Sequence, residues 1–211
     1  MAHRRNRYIE ASLKKIIGAS PLIGLLGHRQ VGKTTLLEKI AEAYYVLDLK
    51  SELDLAVNDP GNYVKTRAGH RVALDECQMA PPLFPALKEW VRIHKKPGQF
   101  LLSGSVRFTS RDAIRESLTG RIMNLELLPF SIPELLGEPL PHICFEALRA
   151  NHFNHFLNAF PYQQSQCQKI HKEIPRYLEF GGLPSVCFLR DEKLRVQKIN
   201  EQLQTILDRD I

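Results

Sequence analysis

The chain has no Cys-x-x-Cys pair. Its four cysteines, Cys77, Cys144, Cys167 and Cys187, are scattered over 211 residues. That excludes the common structural zinc spacings and a disulfide framework, and it points to a reducing, cytoplasmic setting. No stretch approaches the roughly 20 consecutive apolar residues of a membrane-spanning helix, so no membrane partner is expected. The basic start, MAHRRNRY, leads into an apolar run over residues 16–26 that superficially resembles a signal peptide. Pro21 interrupts it, no small-residue cleavage site follows, and the run feeds into a glycine-rich loop. Internal repeats and low-complexity tracts are also missing, which removes solenoid and linker architectures.

With 44% apolar and 25% charged residues, the composition is that of a folded domain, long enough for an α/β core and a smaller appendage. The net charge of +6 favours anionic partners: nucleotide, nucleic acid or an acidic protein surface. Charge alone does not choose among them.

Along the chain, an amphipathic helix is expected over residues 7–18, with Tyr8, Ile9, Leu13, Ile16 and Ile17 on its apolar face. Strands are expected at 22–26, 45–49, 71–74, 100–102 and 122–128, and helices at 34–45, 83–95 and 111–118. Asn58-Asp59-Pro60-Gly61-Asn62 reads as a turn. Strands alternating with helices argue for an α/β fold with a parallel five-stranded sheet covered on both faces. After Pro129 the pattern becomes helical, over 146–160, 168–180 and 192–210. The expected division is a core over residues 1–135 and a helical lid over 136–211. The last residues, Asp208-Arg209-Asp210-Ile211, carry no helix cap, and a truncated chain is expected.

Gly27-His28-Arg29-Gln30-Val31-Gly32-Lys33-Thr34 matches G-x-x-x-x-G-K-[ST] at every fixed position, between a buried strand and an amphipathic helix. Glycines let the backbone close around phosphate oxygens, and successive N–H groups then cradle the anion. The helix that follows adds its unsatisfied N–H groups, so Thr35 joins the cofactor-binding set. Lys33 is expected at the β- and γ-phosphates of ATP, and the Thr34 hydroxyl at Mg²⁺. The strand ending in Val72-Ala73-Leu74-Asp75-Glu76 supplies a second metal-binding group, Asp75, and a general base, Glu76. At the end of the fourth strand, Ser103 and Ser105 are candidates for orienting the attacking water or binding the γ-phosphate. Ser105 is the one assigned to catalysis. Arg121 is a candidate for neutralising transition-state charge, in cis or from a neighbouring subunit of a homo-oligomer.

Together these segments resemble the AAA-type P-loop ATPases of a prokaryotic family in which an AAA domain is usually fused to a nuclease-like domain of unknown function. The resemblance is carried by GHRQVGKTTL, LDECQMAP, LLSGS, ESLTGR, LLPFS with the following Glu134-Leu135-Leu136, and YLEFGGLP. It runs from about Arg7 to Ile211. It implies a three-layer P-loop fold with a small helical lid, and ATP as ligand. With the truncated end, the expectation is a family member without the second domain.

Two function classes follow. One is an Mg²⁺-dependent ATPase that couples hydrolysis to a conformational change. The other is a nucleotide-dependent binding switch with little or no turnover. Glu76 favours the first and the truncated end favours the second. His142, Cys144, His152 and His155 lie close in sequence, but H-x-C-x₇-H-x₂-H is not a structural zinc pattern, and no zinc is expected.

Overall fold

The computed structural model describes residues 5–104, 118–139 and 164–210. The expected helices over 111–118 and 146–160 lie almost wholly outside these residues, and the His142–Cys144–His152–His155 cluster and Ser105 lie wholly outside them. Among the described residues, no three metal-ligating side chains cluster as a cation site, and no helix is long and apolar enough to cross a membrane.

The first compact unit is Ile9–Leu128. It runs α1 (Ile9–Ile17), β1 (Leu22–Leu26), α2 (Lys33–Ile40), β2 (Ala43–Val46), α3 (Lys50–Asn58), α4 (Pro60–Arg67), β3 (Val72–Asp75), a 3₁₀ turn (Cys77–Met79), α5 (Leu83–His94), β4 (Phe100–Ser103) and β5 (Ile122–Glu126). The strands form one parallel sheet in the order β2-β3-β4-β1-β5. Residues of both parities on the central strands are buried: Leu22, Ile23 and Leu25, then Val72, Ala73 and Leu74, then Phe100, Leu101 and Leu102. Consecutive strand residues face opposite sides, so both faces of the sheet are covered, as a three-layer α/β fold requires. Val72, Leu74, Phe100 and Leu102 join Tyr63 and Val64 of α4 and Leu83, Phe84, Leu87 and Val91 of α5 in one apolar cluster.

Two elements differ from expectation. The helix after the glycine-rich loop stops at Ile40, where Ala41 turns extended, and the next strand starts at Ala43 rather than at residue 45. Ala43-Tyr44-Tyr45-Val46 is a strand-forming run, and pairing with β3 overrides the helical spacing of Ala43. The Asn58–Asn62 segment is not a free turn but a junction between α3 and α4. Asp59 accepts a hydrogen bond from the Asn62 N–H at 3.0 Å, and Pro60 occupies the first helical position.

The second unit joins the described residues of Met1–Tyr8 to those of Pro129–Ile211. It contains α6 (Ile132–Leu136), α7 (Gln164–Phe180), α8 (Pro184–Cys187) and α9 (Glu192–Asp210). This unit thus groups the N-terminal residues with the helical part, beginning again at Pro129. Tyr8 is not on the face of α1. Its hydroxyl donates to the carbonyls of Glu138 and Pro139, at 2.9 and 3.0 Å.

This unit is organised around Phe130 and Glu134. The Phe130 ring carries the Arg7 guanidinium 4.0 Å from its centroid and meets Phe188 edge-on. The Tyr177 hydroxyl donates to the Phe130 carbonyl at 2.8 Å, and the Phe130 N–H donates to the Gly182 carbonyl at 2.8 Å. A Cβ on Gly182 would collide with the Phe130 backbone, so this close approach requires glycine. Ser131 caps α6 with Glu134 in a reciprocal capping box.

Candidate functional site

β1, β3 and β4 are neighbours through β4, and all three end on one edge of the sheet. That edge collects residues 27–34 after β1, Asp75 and Glu76 at the end of β3, and Ser103 at the end of β4.

The loop over residues 27–32 is shaped by its backbone. Gly27 has φ 146°, and a Cβ there would strike the Leu127 carbonyl oxygen, so only glycine permits this path. Gln30 adopts φ 61° and Gly32 φ 99° as the chain turns into α2. Val31 is fully buried and anchors the loop, while His28, Arg29 and Gln30 are exposed. Lys33, the first residue of α2, is buried. Its ammonium donates to the carbonyls of Gly27 and His28, both at 2.9 Å. Burial lowers its pKa below the ordinary lysine value, against the opposing pull of the Glu76 and Asp75 carboxylates. Thr34 and Thr35 follow on the exposed side of the first helical turn.

Asp75 is 4% exposed and accepts four hydrogen bonds. Oδ2 takes the Thr34 hydroxyl at 2.8 Å and the Tyr44 hydroxyl at 2.6 Å. Oδ1 takes the Glu76 N–H at 3.0 Å and the Ser103 hydroxyl. Burial pushes the carboxyl pKa up. The bonds from Ser103, Tyr44, Thr34 and the Glu76 N–H together outweigh it and hold the group below the ordinary aspartate value. Among the described residues no basic side chain lies within ion-pair distance of Asp75. A buried, ionised carboxylate beside a threonine hydroxyl is a set of hard oxygen donors, and it fits a magnesium ion.

Glu76 has a left-handed backbone, φ 56° and ψ 42°, and its carboxylate accepts a hydrogen bond from the Gln78 side-chain amide. Cys77 is fully buried, and its thiol donates to the Leu74 carbonyl at 3.0 Å. Burial pushes this thiol well above the usual cysteine range, so it is a packing residue.

The structure thus brings together Gly27, Gly32, Lys33, Thr34, Asp75, Glu76 and Ser103. Ser103 differs from expectation, because its fully buried hydroxyl is spent on Asp75 and is not presented to a water. Arg121 is not brought to this site. It precedes β5, whose first residue, Ile122, pairs with Leu22 at the start of β1. Its carbonyl accepts from Ser20, and its guanidinium donates to the Thr119 carbonyl at 3.4 Å. With strands all parallel, the five residues of β1 put roughly 16 Å of sheet between Arg121 and the phosphate loop. The described structure therefore places Arg121 at the opposite end of the sheet from residues 27–34.

Sequence reasoning missed Tyr44 and gave no role to Gln78. Tyr44 pairs with Ala73, so it shares a sheet face with Ala73 and Asp75. A tyrosine in that register, two pairs from the acid and on its face, is a usable signal once the strand is placed at Ala43.

Comparison with known proteins locates this site in a family. Two curated relatives are uncharacterized proteins of Mycobacterium bovis and Mycobacterium tuberculosis. Each is 30% identical over 128 residues, covering 59% of this chain and 29% of the relative. The chain thus spans under a third of the length of these relatives. Among solved structures, the replication initiator DnaA bound to AMPPCP and single-stranded DNA is similar at 13% identity and a TM-score of 0.42. That match covers 98% of this chain and 69% of that one. The profile of the AAA domain family matches residues 19–136, which include every strand of the sheet and the whole phosphate loop. With more than half its length in that match, this chain belongs to the AAA domain family of P-loop nucleotide-binding proteins.

Proposed function

We propose that this chain is an Mg²⁺-dependent ATPase whose phosphate site is formed by residues 27–35, Asp75 and Glu76. The observation that carries the reading is Asp75: a buried carboxylate kept ionised by four hydrogen bonds, bonded to the loop threonine, and in no ion pair among the described residues. Thr34 and Asp75 would hold the magnesium ion, which would supply positive charge to the β- and γ-phosphate oxygens. Lys33 exchanges its two loop carbonyls for phosphate oxygens. The loop N–H groups hold the anion. Glu76 takes a proton from the water whose oxygen attacks the γ-phosphorus, while the bond to the bridging oxygen of ADP breaks.

Steady-state phosphate release from ATP tests this. Turnover is expected to need Mg²⁺ and to fall on the order of 10²-fold or more in Glu76→Gln, with nucleotide binding retained. Phosphate release no faster than the uncatalysed reaction would make the chain a binding switch instead.

In this reading Arg121 acts in trans, from a second copy. Arg121→Ala is expected to lower turnover by about tenfold or more with nucleotide affinity unchanged. Mixing it with Lys33→Ala should restore activity, since one variant keeps the pocket and the other the arginine. A full rate in Arg121→Ala at every protein concentration removes this residue from the mechanism.

A further inference from the structure

The chain leaves β3 through a left-handed residue that is not glycine, and neighbouring groups fix that conformation. The Glu76 N–H donates to Asp75, the Met79 N–H to the Glu76 carbonyl at 3.0 Å, and the Ala80 N–H to the Cys77 carbonyl at 3.2 Å. Non-glycine residues persist in this region of backbone space where the surroundings over-determine them, often at functional sites. The backbone of Glu76 is thus set, and one degree of freedom is left to settle: the orientation of its carboxylate. Gln78, in the same turn, settles it. Its Nε2 donates to Glu76 Oε2, while its own carbonyl, Oε1, is buried and has no partner among the described residues. The amide cannot turn over to improve this, because its carbonyl oxygen would then face a carboxylate. Gln78 therefore commits its donor to Glu76 and leaves its acceptor unsatisfied. Packing alone would favour an apolar side chain in such a place.

We propose that Gln78 is a positioning residue for Glu76. By tying up Oε2, it fixes the rotation of the carboxylate and leaves Oε1 as the oxygen that takes the proton from water. This inference rests on the reading of Glu76 as the general base.

The test uses the full chain and compares wild type with Gln78→Ala, Gln78→Glu, Glu76→Gln and the double variant Glu76→Gln with Gln78→Ala. Gln78→Ala is expected to lower kcat about tenfold or more, with KM and the calorimetric affinity for Mg²⁺·ATP within about twofold of wild type. The double variant should be no slower than Glu76→Gln alone, because both changes act through one group. Gln78→Glu keeps the shape but sets a second carboxylate against Glu76. It should be at least as slow as Gln78→Ala at neutral pH. It should then gain on wild type as pH falls and the introduced carboxyl, once protonated, donates again. If Gln78→Ala melts early, the isosteric Gln78→Glu carries the test. Full turnover in Gln78→Ala beside a slow Glu76→Gln overturns the proposal and leaves the ATPase reading standing. A Gln78→Glu profile parallel to wild type also overturns it. Full turnover in Glu76→Gln overturns the reading beneath it.

Discussion

Asp75 and Glu134 are both buried carboxylates, and each accepts four hydrogen bonds, yet their partners differ in kind. Glu134 takes the Arg7 guanidinium at 3.3 Å and the Tyr8 N–H at 2.7 Å on one oxygen. It takes the Ser131 N–H at 2.9 Å and the Ser131 hydroxyl at 3.1 Å on the other. Its shell contains a cation and two backbone donors. Asp75 is held by three hydroxyls and one backbone N–H, and by no cation. A hydroxyl rotates and can accept as well as donate, so the Asp75 shell can rearrange around an arriving ion. The Glu134 shell is complete as it stands. The contrast separates a carboxylate that joins chain segments from one that, under the proposed function, receives a ligand.

The largest expected effect breaks the closed shell. Glu134→Ala removes the carboxylate bonded to Arg7, which is 8% exposed, and with it the α6 capping box. Loss of one member of a buried pair costs about 3–5 kcal/mol. Denaturant unfolding of the full chain should show a loss of this order. Replacing Arg7 by Ala as well should recover part of it, and a change below about 1 kcal/mol would mean that the pair contributes little.

A smaller effect sharpens the open shell. In Asp75→Asn the amide oxygen can face the Glu76 N–H and Ser103 while the hydroxyls of Thr34 and Tyr44 turn to accept from its NH₂. The melting temperature should therefore change little. The charge is gone, however, so Mg²⁺ should no longer strengthen ATP binding, a loss of about tenfold or more in a titration with and without the metal. Retained magnesium dependence would put the metal elsewhere.

The smallest is Tyr44→Phe, which removes one hydroxyl from Asp75 Oδ2 at a cost of about 1 kcal/mol. The folded carboxyl lies below its unfolded pKa. Its contribution is therefore present above the unfolded value and lost as pH falls through the folded one. The stability gap between wild type and Tyr44→Phe should be full at neutral pH and close in acid. A gap that is constant with pH would mean that the hydroxyl does not act through the charge.

Much of this was legible from residue order. The β1 strand, the loop glycines, Lys33, Thr34 and the Asp75-Glu76 pair are local signals, since the run that builds each also carries its chemistry. The α3 and α4 helices were not legible, because Pro60-Gly61 looks like a turn until Asp59 is recognised as a cap. Tyr44 was hidden by a boundary error: helical spacing carried the preceding helix into a segment that pairing with β3 makes a strand. Gln78 and Ser103 were in view, but their partners depend on side-chain rotation and on a neighbouring strand, which spacing does not encode. Arg121 shows the opposite case. Its position in sequence suggested the site, and only the shared direction of β1 and β5 sends it to the far edge.

The bonds from Lys33 to the Gly27 and His28 carbonyls bear on motion as well as charge. The ammonium clips the loop closed across six residues of chain before any phosphate arrives. The entropy of ordering these residues is then spent during folding and is not charged against affinity, and nucleotide entry becomes an exchange of acceptors around an already shaped ring. The same clip keeps the loop amides ordered in the free protein, so hydrogen exchange at residues 28–32 reports directly on whether the lysine is in place.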